Sequence, residues 1–273
     1  MITRIFMVLM VGAAVFAASA YQSEIARWQS ERITKLTAPD GWLSLAGLFW
    51  LHEGDNPFGK DPNGGIVLPD GPAHAGVFHY RQGKVTVTID GKTREVLPDT
   101  NDILKVGRVS LQAIKRSEKM GIRVKDPQSP ARVGFKSIES YPADESYRVT
   151  AKWVADPKKI PILNILGQTD QDDCPGYAVF KLKGREYQLH PIIEEPGDQQ
   201  LFYIFKDETS GKETYPAGRF FYSDMPKNGQ VVMDFNKAYN PPCAFTPYAT
   251  CPLPPPENRL AVRIEAGEKR YSH

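Results

Sequence analysis

From Gly41 onward the sequence breaks into short apolar or alternating segments, each closed by a glycine- or proline-bearing turn. That punctuation rules out long helices for most of the chain and favours many short strands. It is dense, with 23 prolines and 22 glycines in 273 residues. KVTVTID (84–90) alternates apolar and polar side chains, and Gln82-Gly83 before it and Asp90-Gly91 after it are two-residue hairpin signals. AGVFHY (75–80), DILKVG (102–107), RVSLQAIKR (108–116) and GIRVKD (121–126) extend the series, and the apolar GWLSLAGLFWL (41–51) reads as a buried strand or a strand–turn–strand.

A proline-rich connection, 126–145, leads to a second series. It comprises YRVTAKWVA (147–155), IPILNILG (160–167), YAVFKLK (177–183), EYQLHPII (186–193), QLFYIFKD (200–207), GRFFYSD (218–224), QVVMDF (230–235) and RLAVRIEA (259–266), with hairpin turns at Lys183-Gly184 and Thr209–Lys212. The fold class expected is all-β: two packed antiparallel β units, each a sandwich or small barrel, over 41–130 and 131–273. Residues 21–40 stand apart. Ile25, Trp28, Arg32 and Leu36 fall on one face at helical spacing, and Thr37-Ala38-Pro39 ends an amphipathic helix that starts near Ser23.

The first twenty residues have the pattern of a signal peptide. Arg4 is followed by the apolar run Ile5 to Phe16 and the small-x-small Ala18-Ser19-Ala20. The run is short for a spanning helix, so cleavage before Tyr21 is expected ahead of an uncleaved anchor. Export to the periplasm or the exterior, with no integral membrane contact after cleavage, follows. Loss of Arg4 takes the formal charge from +2 to +1, a balance that predicts no nucleic-acid footprint.

The chain has no G-x-S-x-G elbow, P-loop, H-E-x-x-H helix or strand-linked G-x-G-x-x-G. Histidines at 52, 74, 79, 190 and 273 lack metal-ligand spacing, and Asp170, Asp172 and Asp173 read as a solvated turn, so neither metal nor cofactor is expected. Of three cysteines, Cys243 and Cys251 can close a short loop in an oxidising compartment, leaving Cys174 buried or free.

The candidate site is the run from Val231 to Glu268, which holds both of those cysteines, three asparagines and seven prolines. Asn240-Pro241-Pro242 and Pro252-Leu253-Pro254-Pro255-Pro256 fix loop conformation in advance. Asn236, Tyr239, Asn240 and Asn258 are its candidate ligand-binding groups, and Arg116, Arg123 and Arg219 would add positive charge from other strands. Asp234 and Glu268 are candidate acid–base carboxylates and Cys243 a candidate nucleophile, if it is not bridged to Cys251. A proline-rich lid that only closes a barrel accounts for the same residues and is the first reading. Next comes binding of a small polar or anionic ligand or an envelope protein, then a hydrolase built on the carboxylates and arginine.

Two resemblances add to this. Residues 55–114 resemble a forkhead-associated β-sandwich, which implies that fold for 41–130 and a protein-interaction role. Lys60 stands where that family has its phosphate-binding arginine and Ala73-His74 replace its serine, so phosphopeptide reading is not implied. GWLSLAGLFWLHEG (41–54), RSEKMGIRVKD (116–126), FKDETSGKETYPAGRF (205–220) and DFNKAYNPPCAFTPYATCPLPPPENRL (234–260) together resemble the prokaryotic domain of unknown function 1684. That family name implies membership and no activity.

Overall fold

The computed structural model describes residues 20–272. Nearly all of the signal pattern, up to Ser19, lies outside the described residues. The described chain is mostly β, with several antiparallel sheets and one N-terminal helix, α1, over residues 20–36. α1 begins three residues before Ser23 because Tyr21 belongs to its buried face with Ile25 and Leu36.

The chain divides into two compact units. One holds Lys35–Lys136 and Phe245–Thr250; the other holds the described residues through Thr34, Ser137–Ala244, and the chain from Cys251 on. This division differs from the expected segments. Most of α1 groups with the C-terminal unit, the boundary falls at 136/137, and six residues of the candidate run belong to the other unit.

In the 35–136 unit, a short 3-10 turn at Trp42–Ser44 precedes β1 (Leu45–Trp50). Then come β2 (Gly54–Gly59), β3 (Ile66–Val67), β4 (Gly76–Arg81), β5 (Lys84–Ile89), β6 (Lys92–Val96), β7 (Ile103–Val106), β8 (Val109–Arg116) and β9 (Lys119–Lys125). They form two sheets, ordered β1-β9-β8-β7 and β3-β2-β4-β5-β6. The two-residue β2–β3 pair is parallel. Gln82-Gly83 and Asp90-Gly91 make the expected tight turns, each with φ > 0 at both residues, as a type I′ hairpin requires. Alternation then decides the core: Val85 and Val87 join Phe58, Phe78, Leu111, Ile122 and Val124 in one buried cluster drawn from both sheets.

The other unit contains β10 (Arg148–Leu163), β11 (Thr169–Leu182), β12 (Arg185–Leu189), β13 (Gln200–Phe205), β14 (Arg219–Asp224) and β15 (Gln230–Asp234). Its sheets are β12-β11-β10-β15 and the ribbon β13-β14. Tyr203, Phe205, Phe221 and Phe235 centre the core, with Tyr203 and Phe221 stacked at 4.6 Å. Each such buried side chain contributes about 1.5–3 kcal/mol.

Three sequence expectations are corrected here. The segments 147–155 and 160–167 are one strand, bulged between Ala155 and Lys158 opposite Gly176, where any Cβ would fall 2.2 Å from the Val154 carbonyl oxygen. Asp170, Asp172 and Asp173 are not a turn: they lie in β11, paired with Ile162, Ile160 and Lys159, because the partner strand overrides their weak strand propensity. RLAVRIEA (259–266) buries Leu260, Val262, Ile264 and Ala266 alternately, yet it joins no sheet.

Candidate functional site

Residues 260 and 262 bond the backbone of Lys206 and Glu208, and beyond them two side chains take over much of the pairing. Asp207 follows β13, and its carboxylate accepts from the Ile264 backbone N–H at 2.8 Å and from the Thr209 hydroxyl at 2.8 Å. Arg219 opens β14; its Nη1 donates to the Ala266 and Glu268 carbonyl oxygens and its Nη2 to the Ile264 carbonyl at 3.0 Å. Arg219 Nη2 also meets Asp207 Oδ1 at 3.4 Å, and neither side chain is exposed. Burial pulls the Arg219 pKa down, opposed first by Asp207.

Gly267 turns the chain at the end of this clamp. With φ +76°, and with a Cβ placed 2.4 Å from the Ala238 carbonyl oxygen, no other residue fits without displacement. The turn lets the Glu268 N–H donate to the Ala238 carbonyl at 2.8 Å and sends the carboxylate inward. Glu268 Oε2 accepts the Asn240 N–H at 2.7 Å and Oε1 accepts Arg32 Nε at 3.2 Å. Arg32 also donates from Nη2 to the Asn240 carbonyl and lies 4.7 Å over the Tyr239 ring. Tyr239 is held by both backbone hydrogen bonds to Phe220 of β14 and stacks on Tyr222. Glu268 is 2% exposed, and burial raises its carboxyl above the ordinary range despite Arg32 and the Asn240 N–H. The Asn240 Oδ1 beside it is buried without a hydrogen-bond partner among the described residues.

Glu268 also lines a cleft of about 490 Å³. Gln22, Ile25, Ala26, Gln29 and Ile33 of α1 form one wall, and Ile138 with Ser140–Ala143 the other. The cleft thus combines walls of mixed apolar and polar side chains with one buried carboxylate.

The remaining predicted residues are not gathered there. Asp234 ends β15 and accepts from the Tyr21 hydroxyl at 2.9 Å and from the Asn236 N–H at 3.1 Å. Asn236 Nδ2 donates to the Tyr21 oxygen and the Asp144 carbonyl, both at 2.8 Å. No hydrogen bond among the described residues links Asp234 to Glu268. Asn258 is spent on backbone: it accepts the His190 N–H and donates to the His190 and Ile204 carbonyls. Cys243 and Cys251 form a disulfide, with Cα atoms 6.2 Å apart, so Cys243 offers no thiolate while the bridge stands. Arg116 and Arg123 belong to the other unit. Arg116 is committed to Asp99 at 2.9 Å and the Thr250 hydroxyl at 3.1 Å.

Sequence reasoning missed Tyr21, Arg32 and Asp207. Arg32 had a signal, an arginine on the apolar face of α1. Asp207 had none for its part in the clamp, because the clamp partners Arg219 and Ile264 lie 12 and 57 residues away.

Both cysteines, Asp207, Arg219, Asn240 and Glu268 fall within residues 133–269, which match the family described as "Protein of unknown function (DUF1684)". The chain belongs to the DUF1684 family. The blocks at 41–54 and 116–126 lie outside the match. A DUF1684 chain of this kind is also similar to an uncharacterized protein of Haloarcula marismortui solved by NMR in solution, at 29% identity over 50% of this chain and 78% of that one, with a TM-score of 0.43. No curated protein matches this sequence.

Proposed function

We propose that this protein binds a small ligand in the cleft beside α1, through a cationic or hydrogen-bond-donating group that meets Glu268. The buried carboxylate on the cleft's edge carries the reading. Desolvation makes an ionised Glu268 costly, and a donor from a bound molecule offsets that cost. Ile25, Ile33, Ile138 and Pro142 suit an apolar body next to that donor. Within the notion of a polar ligand, an amine fits this cleft and an anion does not. The N-terminal pattern and the Cys243–Cys251 bridge support action in an oxidising compartment after export.

The test is calorimetric titration of the protein with hexylamine and benzylamine, using hexanol and hexanoate as controls. Saturable binding of the amines, lost in Ala26→Trp, which fills the mouth of the cleft, and weakened in Glu268→Gln, supports the proposal. Equal responses to amine and carboxylate, or an unchanged response in Ala26→Trp, would sink it. A second reading makes Glu268 a general acid, since burial raises its pKa and favours the protonated, donating form. Cleavage of amine-bearing esters or glycosides that stops in Glu268→Gln would favour it.

A further inference from the structure

Away from that cleft, in the 35–136 unit, one buried charge has no ion-pair partner among the described residues. Arg123 of β9 is 7% exposed, and its Nε is sealed from solvent without a hydrogen-bond partner. Its guanidinium lies 5.0 Å over the Trp42 ring, a contact that leaves the N–H edge unused. No ion pair among the described residues includes it. Asp99, the carboxylate whose field reaches it, is already bound by Arg116, which repels Arg123. Burial and Arg116 together pull the Arg123 pKa down to about 10.

The neighbours are cationic too. Lys105, Ser110 and Lys125 stand in one cross-strand row over β7, β8 and β9. Arg123 is two residues from Lys125 and on the same face, opposite Gln112. Lys105 Nζ donates to the Ser110 hydroxyl at 2.6 Å. Lys125 Nζ donates to the Asp40 carbonyl at 2.7 Å, and the charge of the Asp40 carboxylate also acts on it. Its pKa is lowered first by burial and next by Arg123. A sheet face that buries an unpaired guanidinium beside two lysines is costly to fold as it stands, and an oxyanion would remove that cost.

We propose that the face of β7–β8–β9 opposite the Leu111–Ile122–Val124 core carries an oxyanion site in which Arg123, backed by Trp42, and Lys125 receive a phosphate or sulfate group. Arginine's planar fork matches two oxygens of such a group, and lysine adds a point charge. Glu268 and its cleft play no part in this site. The anion is a free ion or the charged end of a phosphate monoester, and the two are separable by titration.

Thermal melts and Trp fluorescence titrations with sodium phosphate, sodium sulfate and glycerol 3-phosphate, against sodium chloride at equal ionic strength, test it. Phosphate or sulfate should raise the melting temperature saturably and perturb the indole emission, and stronger binding of glycerol 3-phosphate would identify the monoester as the source. Arg123→Met keeps the stem over Trp42 and removes the charge. It should melt no lower than the parent without anion, and should bind about tenfold or more weaker, the loss expected for charge-assisted hydrogen bonds. Lys125→Met, at a half-buried site, is the second variant and should weaken binding in the same direction. Anion effects no larger than those of chloride, or an undiminished response in Arg123→Met or Lys125→Met, overturn the site.

Discussion

Arg219 and Asp207 form an ion pair with no exposed side-chain surface, Nη2 to Oδ1 at 3.4 Å, and together they act as the missing neighbour strand for residues 264–268. Asp207 takes the Ile264 N–H, and Arg219 takes the Ile264, Ala266 and Glu268 carbonyls. A real strand would offer both donors and acceptors along one edge; this pair supplies acceptors from one side chain and donors from the other. Burial of the two charges is tolerated because each also satisfies backbone groups. The position of Glu268, and so of the cleft's carboxylate, depends on that clamp.

Loss of Arg219 leaves a buried carboxylate and orphaned carbonyls, and loss of the Asp207 charge leaves a buried guanidinium. Arg219→Met is expected to destabilise the protein by about 3–5 kcal/mol, as is Asp207→Asn to a lesser degree. The double variant should cost clearly less than the two singles added. Urea unfolding of all four proteins gives the cycle; a coupling below about 0.5 kcal/mol would mean the residues act independently.

Tyr21 ties the start of α1 to β15. Its hydroxyl donates to Asp234 and accepts from Asn236 Nδ2, and burial with the Asp234 charge raises its pKa. Tyr21→Phe keeps the ring and removes one of the donors to a buried carboxylate. A loss of about 1–3 kcal/mol is expected, with faster amide hydrogen exchange confined to the first turns of α1. Unchanged exchange there would show that α1 is held by its apolar face alone.

Much of this fold was legible because it is written locally. Val85 and Val87 alternate with Thr86 and Thr88, and two glycine dipeptides set their hairpins, so the strands around them needed no distant information. Legibility failed where a partner far along the chain decided the outcome. Asp170, Asp172 and Asp173 look like turn residues until β10 pairs with them, and the alternation in 259–266 signals burial without saying that side chains will replace the ladder. The candidate site split for the same reason. Glu268, Asn240, Tyr239 and Arg219 converge through Gly267 and β14, whereas Arg116 and Arg123 were grouped with them by residue type alone.

The thiols of this chain should separate cleanly. Cys174 is 1% exposed and burial raises its pKa, so native protein treated with iodoacetamide should stay unmodified until it is unfolded. Reduction, or Cys243→Ser with Cys251→Ser, should cost about 2–3 kcal/mol by the loop-entropy relation for a bridge spanning so few residues. Alkylation of all three cysteines in unreduced native protein, read by mass spectrometry, would contradict the bridge.

Glu268 gives a pH signature whose sign is fixed by burial. Its folded pKa is raised above the ordinary 4.5, so the native state holds this proton more tightly than the unfolded chain does. By linkage its contribution is full below about 4.5 and is lost as pH rises through the folded value. Asp126, lowered first by its hydrogen bond from Arg108, contributes with the opposite slope, so the raw stability curve mixes the two. Subtraction isolates Glu268. The stability of the parent minus that of Glu268→Gln, from urea unfolding, should fall as pH rises above the ordinary 4.5 and level off once the folded carboxyl has ionised. An amine bound in the cleft stabilises the ionised form, lowers the folded pKa and should flatten that fall. A difference curve that is flat without amine, or that rises with pH, would mean Arg32 and the Asn240 N–H outweigh desolvation at this carboxylate.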